Sequence, residues 1–176
     1  KFRDIAIIYS VTMLITFLFS YVVKLRDWGN LLGTFYVTYA LSIAWMTDVG
    51  AYFFGTFFGK TKLCPEISPK KTVAGAIGGA LVSSIMSIIV CMIFQLFVFN
   101  FKVSMNYVNI VIIAFFGSIV SMIGDLVFSM IKRGYHVKDF GNVIPGHGGI
   151  LDRFDSVSFV VPFVYFLIVN VGILNV

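Results

Sequence analysis

The chain has 176 residues, 59% of them hydrophobic and only 12% charged, with a formal net charge of +5 and a mean hydropathy of +0.98. Ordinary soluble domains carry about 25% charged residues, so a water-surrounded globule with one core is excluded and a bilayer is the expected solvent. The positive balance does not mark a nucleic-acid binder. The 13 Lys and Arg fall in short clusters between apolar runs, with no basic face long enough to follow a phosphate backbone.

Five apolar stretches approach the roughly 20 helical residues that cross a hydrocarbon core. The first, Ile5–Val23, is too long for a signal peptide and lacks a small-residue cleavage site. With Lys1 rather than Met at the start, the chain is expected to be the C-terminal portion of a protein with upstream helices. Leu31–Phe54 follows and carries Asp48. Val73–Phe99 opens with Gly75 and Gly79 at the four-residue spacing that lets helix backbones approach closely. Tyr107–Ile131 carries Asp125, and Val157–Leu174 is the last stretch. The runs are continuous rather than alternating, which argues against a β-barrel. The expected fold is all-α: a single polytopic membrane domain, a transmembrane helix bundle with about five spanning helices and two polar cytoplasmic loops.

The basic residues fix the expected orientation. With the N-terminus inside, the inner segments hold Lys1, Arg3, Lys60, Lys62, Lys70, Lys71, Lys132, Arg133, Lys138 and Arg153, against Lys24, Arg26 and Lys102 outside. That bias follows the positive-inside rule and puts both long loops, 55–72 and 132–156, on the cytoplasmic side. Cys64 and Cys91 show no metal-ligand spacing.

Asp48 and Asp125 do not belong in lipid. A carboxylate at membrane depth costs about 2.5–3.5 kcal/mol even on insertion scales, so each is expected to face a partner or a polar cavity. Helical spacing groups Asp125 with Ser129, Lys132 and Arg133, and Asp48 with Tyr52 and Gly55. The densest polar stretch runs from Lys132 to Asp155. Its Gly146–Gly149 segment, which holds His147 and Gly148, can present backbone N–H groups to an anion. Lys132, Arg133, Lys138 and Arg153 can neutralise phosphate oxygens. Asp139, Asp152 and Asp155 supply hard oxygen donors of the kind Mg²⁺ prefers. Acids, bases and glycines together suit metal-assisted phosphoryl chemistry better than attraction to a lipid surface, which needs positive charge alone.

The segment 60–72 adds a second candidate. Pro65 and Pro69 stiffen a loop that delivers Ser68, Lys70, Lys71 and Thr72 to the start of a helix, where anions bind. Gly55–Thr61 looks like a P-loop, but it is one residue short of the required spacing and leaves an apolar run rather than a strand. A Walker-type site is therefore rejected.

Ser129-Met-Ile-Lys-Arg133, Lys138-Asp139 and Pro145-Gly-His-Gly-Gly-Ile-Leu-Asp-Arg-Phe-Asp155 together resemble the pattern of the phosphatidate cytidylyltransferase family, with every spacing matched over 27 residues. Asp48-Val-Gly-Ala-Tyr52, Ser68-Pro-Lys-Lys-Thr72 and Gly124-Asp125 resemble further blocks of that family in the same order, so the likeness covers about Ile43 to Asp155. It implies transfer of CMP from CTP to phosphatidate, giving CDP-diacylglycerol and pyrophosphate. By the same resemblance, Asp125 and Asp152 hold Mg²⁺, with a monovalent cation such as K⁺ nearby. Lys132, Arg133, Lys138 and His147 bind phosphates, with Arg153 beside them, while Asp48, Asp139 and Asp155 complete the polar cavity. Tyr52, Ser68, Lys70, Lys71, Thr72, Gly148 and Gly149 are expected to contact substrate. The implied location is a bacterial cytoplasmic membrane with the site facing the cytoplasm. The family and the small-residue helix faces also allow a homodimer.

Two other readings compete. A related enzyme that uses CTP on another lipid phosphate or lipid alcohol would present the same polar residues. A transporter using Asp48 and Asp125 as intramembrane ligands would be expected to show inverted repeats, and the two halves of this chain show no such likeness.

Overall fold

A computed structural model describes residues 2–137, 139–141, 149 and 151–175, with the backbone alone at 3, 4 and 175. Five helices carry the chain: α1 (Phe2–Arg26), α2 (Asn30–Phe58), α3 (Val73–Ile93), α4 (Tyr107–Gly134) and α5 (Leu151–Asn170). Three segments, Ile5–Arg26, Val73–Val98 and Tyr107–Gly134, are long and apolar enough to cross a membrane. The helix α2 is as long, but its apolar residues are interspersed with Thr, Tyr, Ser and Gly as well as Asp48. The helix α5 opens with Asp152, Arg153 and Asp155 within its first five residues. The bundle is the expected all-α membrane architecture, and α2, α4 and α5 carry the charged residues of the candidate site.

Two short antiparallel strand pairs, one of them a hairpin, mark the ends of the bundle. At one end β1 (Lys62–Cys64) pairs antiparallel with β2 (Ser68–Thr72), with Lys62 opposite Thr72 and Cys64 opposite Ser68. The sequence reading made this segment a loop. Its prolines lie at 65 and 69, in the turn and near the start of β2, so a two-stranded ladder forms without a central proline. At the other end β3 (Ser104–Met105) pairs with β4 (Leu174–Asn175). That pairing ties the α3–α4 connection to the end of α5, and the Asn109 side chain reinforces it by donating to the Gly172 carbonyl at 2.9 Å.

The core is densest toward the β3–β4 end. Leu25, Phe35, Tyr39, Ile110, Ile113 and Val164 are fully or almost fully buried there, and the Tyr39 hydroxyl donates to the Ile110 carbonyl at 2.7 Å. A π-helical turn, Phe94–Val98, extends α3 and sets Phe94 and Phe99 against Phe35 at ring-centre distances of 5.2 and 5.8 Å.

Toward the β1–β2 end, small residues replace aromatic ones. Lipid tails are as apolar as leucine, so helices in a bilayer associate through close packing rather than escape from water. A β-carbon on Gly75 would stand 2.7 Å from the Ala51 carbonyl, and one on Gly79 would stand 2.8 Å from the Thr47 carbonyl. The spacing of Gly75 and Gly79 thus does what the sequence suggested and brings α3 onto the backbone of α2. Gly79→Val is expected to destabilise the protein by about 1–3 kcal/mol through overpacking. Thermal unfolding in detergent checks this. Gly134→Ala, where an added β-carbon meets nothing within 4 Å, serves as the neutral comparison.

Candidate active site

The β1–β2 end gathers the hairpin, the C-terminal half of α4, the start of α5 and the end of α2. Thr72 starts α3 as its N-cap, its hydroxyl accepting from the Gly75 N–H at 3.1 Å. The cap holds β2 in register with the helix, so Lys71 points at α4. Its ammonium lies 2.5 Å from Asp125 Oδ2 and donates to the Met122 carbonyl at 3.3 Å. The Ser129 hydroxyl, one turn along α4, donates to Asp125 Oδ1 at 3.5 Å. These groups border a cavity of about 270 Å³ whose lining includes Asp48, Tyr52, Lys70, Lys71, Thr72 and Asp125. Six residues singled out from sequence, spread over 78 positions, therefore share one space. Ser68, at the far end of β2, does not line it.

A second cluster forms at the head of α5. Lys132, in the last turn of α4, places its ammonium 2.9 Å from Asp152 Oδ1 and 3.8 Å from Asp155 Oδ2. All three side chains are nearly buried, and the ammonium also lies over the Phe140 ring at 5.3 Å. The other oxygen of Asp152 accepts from the N–H groups of Phe140 and Gly149 at 2.9 and 3.0 Å. Burial alone would raise the Asp152 pKa, yet Lys132 and these two N–H groups hold it below the usual carboxylate value. Asp152 is thus an anion that ties Phe140 and Gly149 to the head of α5. Around this cluster lies a second cavity, about 370 Å³, lined by Trp45, Asp48, Asp152, Arg153, Phe154 and Asp155 among others.

Asp48 borders both cavities and is exposed on α2 between them. It stands close enough to Asp125 and Asp155 for the three carboxylates to repel one another. Ser156 relieves part of that repulsion. Its hydroxyl lies 3.2 Å from Asp48 Oδ2 and 3.3 Å from Asp155 Oδ1, and its backbone N–H donates to Asp155 at 2.8 Å. Sequence reasoning missed Ser156, as it missed the Met122 carbonyl and the Phe140 N–H. The signal for Ser156 was its place on a helix directly after an acid. Carbonyl and N–H contacts leave no trace in residue type.

Arg133, Asp139 and Arg153 are exposed around this end. Lys138, His147 and Gly148 lie outside the described residues. Asp48, Asp125 and Asp155 thus approach one another from α2, α4 and α5, with Lys71 beside Asp125 and Lys132 beside Asp155. Among the described residues, no three acids already stand in a metal-holding group. Lys71 occupies one oxygen of Asp125, and the protein's own donors occupy both oxygens of Asp152.

Fold and site together define an all-α membrane protein that carries paired carboxylates and lysines around two cavities sharing Asp48. Residues 1–171 match the model of the cytidylyltransferase family, and the chain belongs to that family. It is 43% identical over 167 residues to a phosphatidate cytidylyltransferase of Bacillus subtilis (strain 168), covering 95% of this chain and 59% of the relative. It is 45% identical over 140 residues to one from Staphylococcus saprophyticus, covering 79% and 51%. It is also 45% identical over 138 residues to one from Staphylococcus aureus (strain COL), covering 78% and 50%. The chain spans between half and three-fifths of the length of these relatives.

Proposed function

We propose that this chain carries the nucleotide-transfer site of a phosphatidate cytidylyltransferase, moving CMP from CTP to phosphatidate to give CDP-diacylglycerol and pyrophosphate. The observation that carries the reading is the meeting of Asp48, Lys70, Lys71 and Asp125 in one cavity beside the Lys132–Asp152–Asp155 cluster. A phosphate oxygen of phosphatidate attacks the α-phosphorus of CTP, the bond to the β-phosphate oxygen breaks, and pyrophosphate leaves. The nucleophile is already anionic, so no strong base is required. The barrier lies in bringing two polyanions together and in stabilising charge on the leaving group, which lysines and arginines fixed in a low-dielectric site address.

Lys70 and Lys71 at the first cavity, Arg153 at the second, Lys132 beside its carboxylates and the exposed Arg133 are the cations for those phosphates. Lys138 and His147 join them on the strength of the sequence pattern. Asp125 and Asp152 would hold Mg²⁺, with a monovalent cation such as K⁺ nearby. Bound there, the divalent ion would neutralise phosphate oxygens and orient them. The sequence pattern supports this assignment, and the ion would take the place of Lys71 at Asp125 and of the Lys132, Phe140 and Gly149 donors at Asp152. Ten basic residues on the loop side against three on the other support a site facing the cytoplasm, where CTP is available. A homodimer remains part of the proposal on the family's account.

The test is direct. The full-length protein in detergent, given phosphatidate, CTP and Mg²⁺, is expected to form CDP-diacylglycerol and release equimolar pyrophosphate. Release of pyrophosphate without CDP-lipid, or no reaction with any phosphatidate, overturns the reading. Faster turnover of a different lipid phosphate or lipid alcohol would reassign the acceptor.

A further inference from the structure

The second cavity has an apolar neighbour. Phe154 lines it and also lines a separate apolar crevice of about 180 Å³ between α1, α2 and α5. Val37 and Leu41 wall that crevice from α2, Val157 and Val161 from α5, and Phe19 and Val22 from α1. The two spaces follow continuous helix stripes. On α2, Val37, Leu41 and Trp45 recur every four residues and lead to Asp48 and Val49. On α5, Phe154, Val157 and Val161 fall at i, i+3 and i+7. Leu41 lies seven residues from Asp48, about 10 Å along the axis, and Val37 about 16 Å. The crevice and the charged cavity are thus neighbours that share Phe154, whose half-buried ring meets Phe19 edge-on at 6.1 Å.

We propose that this crevice is the acyl-chain subsite of the lipid substrate, with the lipid's phosphate in the adjoining cavity at Asp48, Arg153 and Asp155. This rests on the phosphatidate reading above and adds which side of the site each substrate takes. No side chain lining the crevice carries a polar atom. A ribose or base placed there would give up its hydrogen bonds for nothing, whereas an acyl chain exchanges one apolar surrounding for another. The cavity on the other side of Asp48, with Lys70, Lys71 and the Thr72 strand end, then takes the triphosphate. Asp48 stands between the two substrates, at the boundary where the phosphate of one must meet the α-phosphorus of the other.

Leu41→Phe and Val161→Phe, made in the full-length protein, fill the crevice without touching the charged groups. With dioleoyl phosphatidate in detergent, kcat/KM is expected to fall about tenfold. With dihexanoyl phosphatidate, whose chains are too short to need the crevice, it is expected to change less than twofold. An equal loss on both lipids, or no loss on either, overturns the assignment. Lipid binding gives a second readout that does not require turnover. With Trp28→Phe, and with any tryptophan outside these 176 residues also replaced by Phe, Trp45 is the sole fluorophore of its kind. Phosphatidate brominated at mid-chain is expected to quench it more than equally brominated phosphatidylcholine, and Leu41→Phe is expected to abolish the difference. Equal quenching by both lipids in the parent protein also overturns the subsite. Failure of both phosphatidates to react in the parent protein, with selective quenching intact, would instead defeat the assigned reaction.

Discussion

Lys132→Met is expected to lower CDP-lipid formation at least a hundredfold and to destabilise the protein by about 3–5 kcal/mol. Lys132 is the one cation that the described structure places between Asp152 and Asp155, at 2.9 and 3.8 Å, and the two carboxylates are only 7% and 10% exposed. Methionine keeps the length of the side chain and removes the charge, leaving two nearly buried anions facing each other. The loss is therefore larger than for an exposed pair, where about 0–1 kcal/mol is typical. Thermal unfolding in detergent and a pyrophosphate-release assay measure the two effects separately. Combining Lys132→Met with Asp152→Asn removes one of the stranded charges and is expected to restore much of the stability while leaving activity at background. Recovery of activity in the double variant would show that Lys132 serves the fold alone.

Asp125→Asn and Asp152→Asn are each expected to reduce turnover to background, for different structural reasons. Asp125 is about a quarter exposed, and its partner Lys71 lies at the edge of an open cavity. Its replacement should cost less stability than that of Asp152, because this pair is more exposed than the Lys132–Asp152 pair and borders an open cavity. Asp152 accepts from Lys132 and from the N–H groups of Phe140 and Gly149. Asparagine retains one acceptor oxygen but offers an amide where a carboxylate met an ammonium or a backbone N–H. Asp152→Asn should therefore lower stability as well as activity. Circular dichroism and Mg²⁺ titrations of both variants are the measurements. Near-full activity in both, at unchanged Mg²⁺ dependence, would remove these two carboxylates from the proposed metal site.

Much of this was legible in the residues because the bilayer makes polar residues conspicuous. Asp48 and Asp125 stand out in apolar runs, where ionised groups need a reason to exist, and both line the same cavity. Gly75 and Gly79 announced the contact of α3 on α2 because only small residues allow that approach. The hairpin at 62–72 was less legible. Its prolines and lysines read as a loop, and only the pairing of Lys62 with Thr72 shows a ladder. Nor did the apolar stretches reveal which helices differ. Five looked alike in length, yet among the described residues α1, α3 with its π-helical extension, and α4 are the clearest spans, although α4 also carries Asp125 and Lys132.

By itself, the sequence determined a helical membrane chain, the polar ends of its helices and the residue types of a phosphate-handling site. Those follow from period, hydropathy and charge, which are local properties of the chain. The pairing of each lysine with its carboxylate was decided only by tertiary structure. Lys71 meets Asp125 across 54 positions and Lys132 meets Asp152 across 20, because the Gly75–Gly79 contact and the Thr72 cap fix where β2 and α4 stand. The division of the site into two cavities by Asp48, and the apolar crevice adjoining one of them, likewise depend on how α1, α2 and α5 pack. Valines, leucines and phenylalanines facing lipid and those facing a crevice are the same residues in sequence. Packing alone tells them apart.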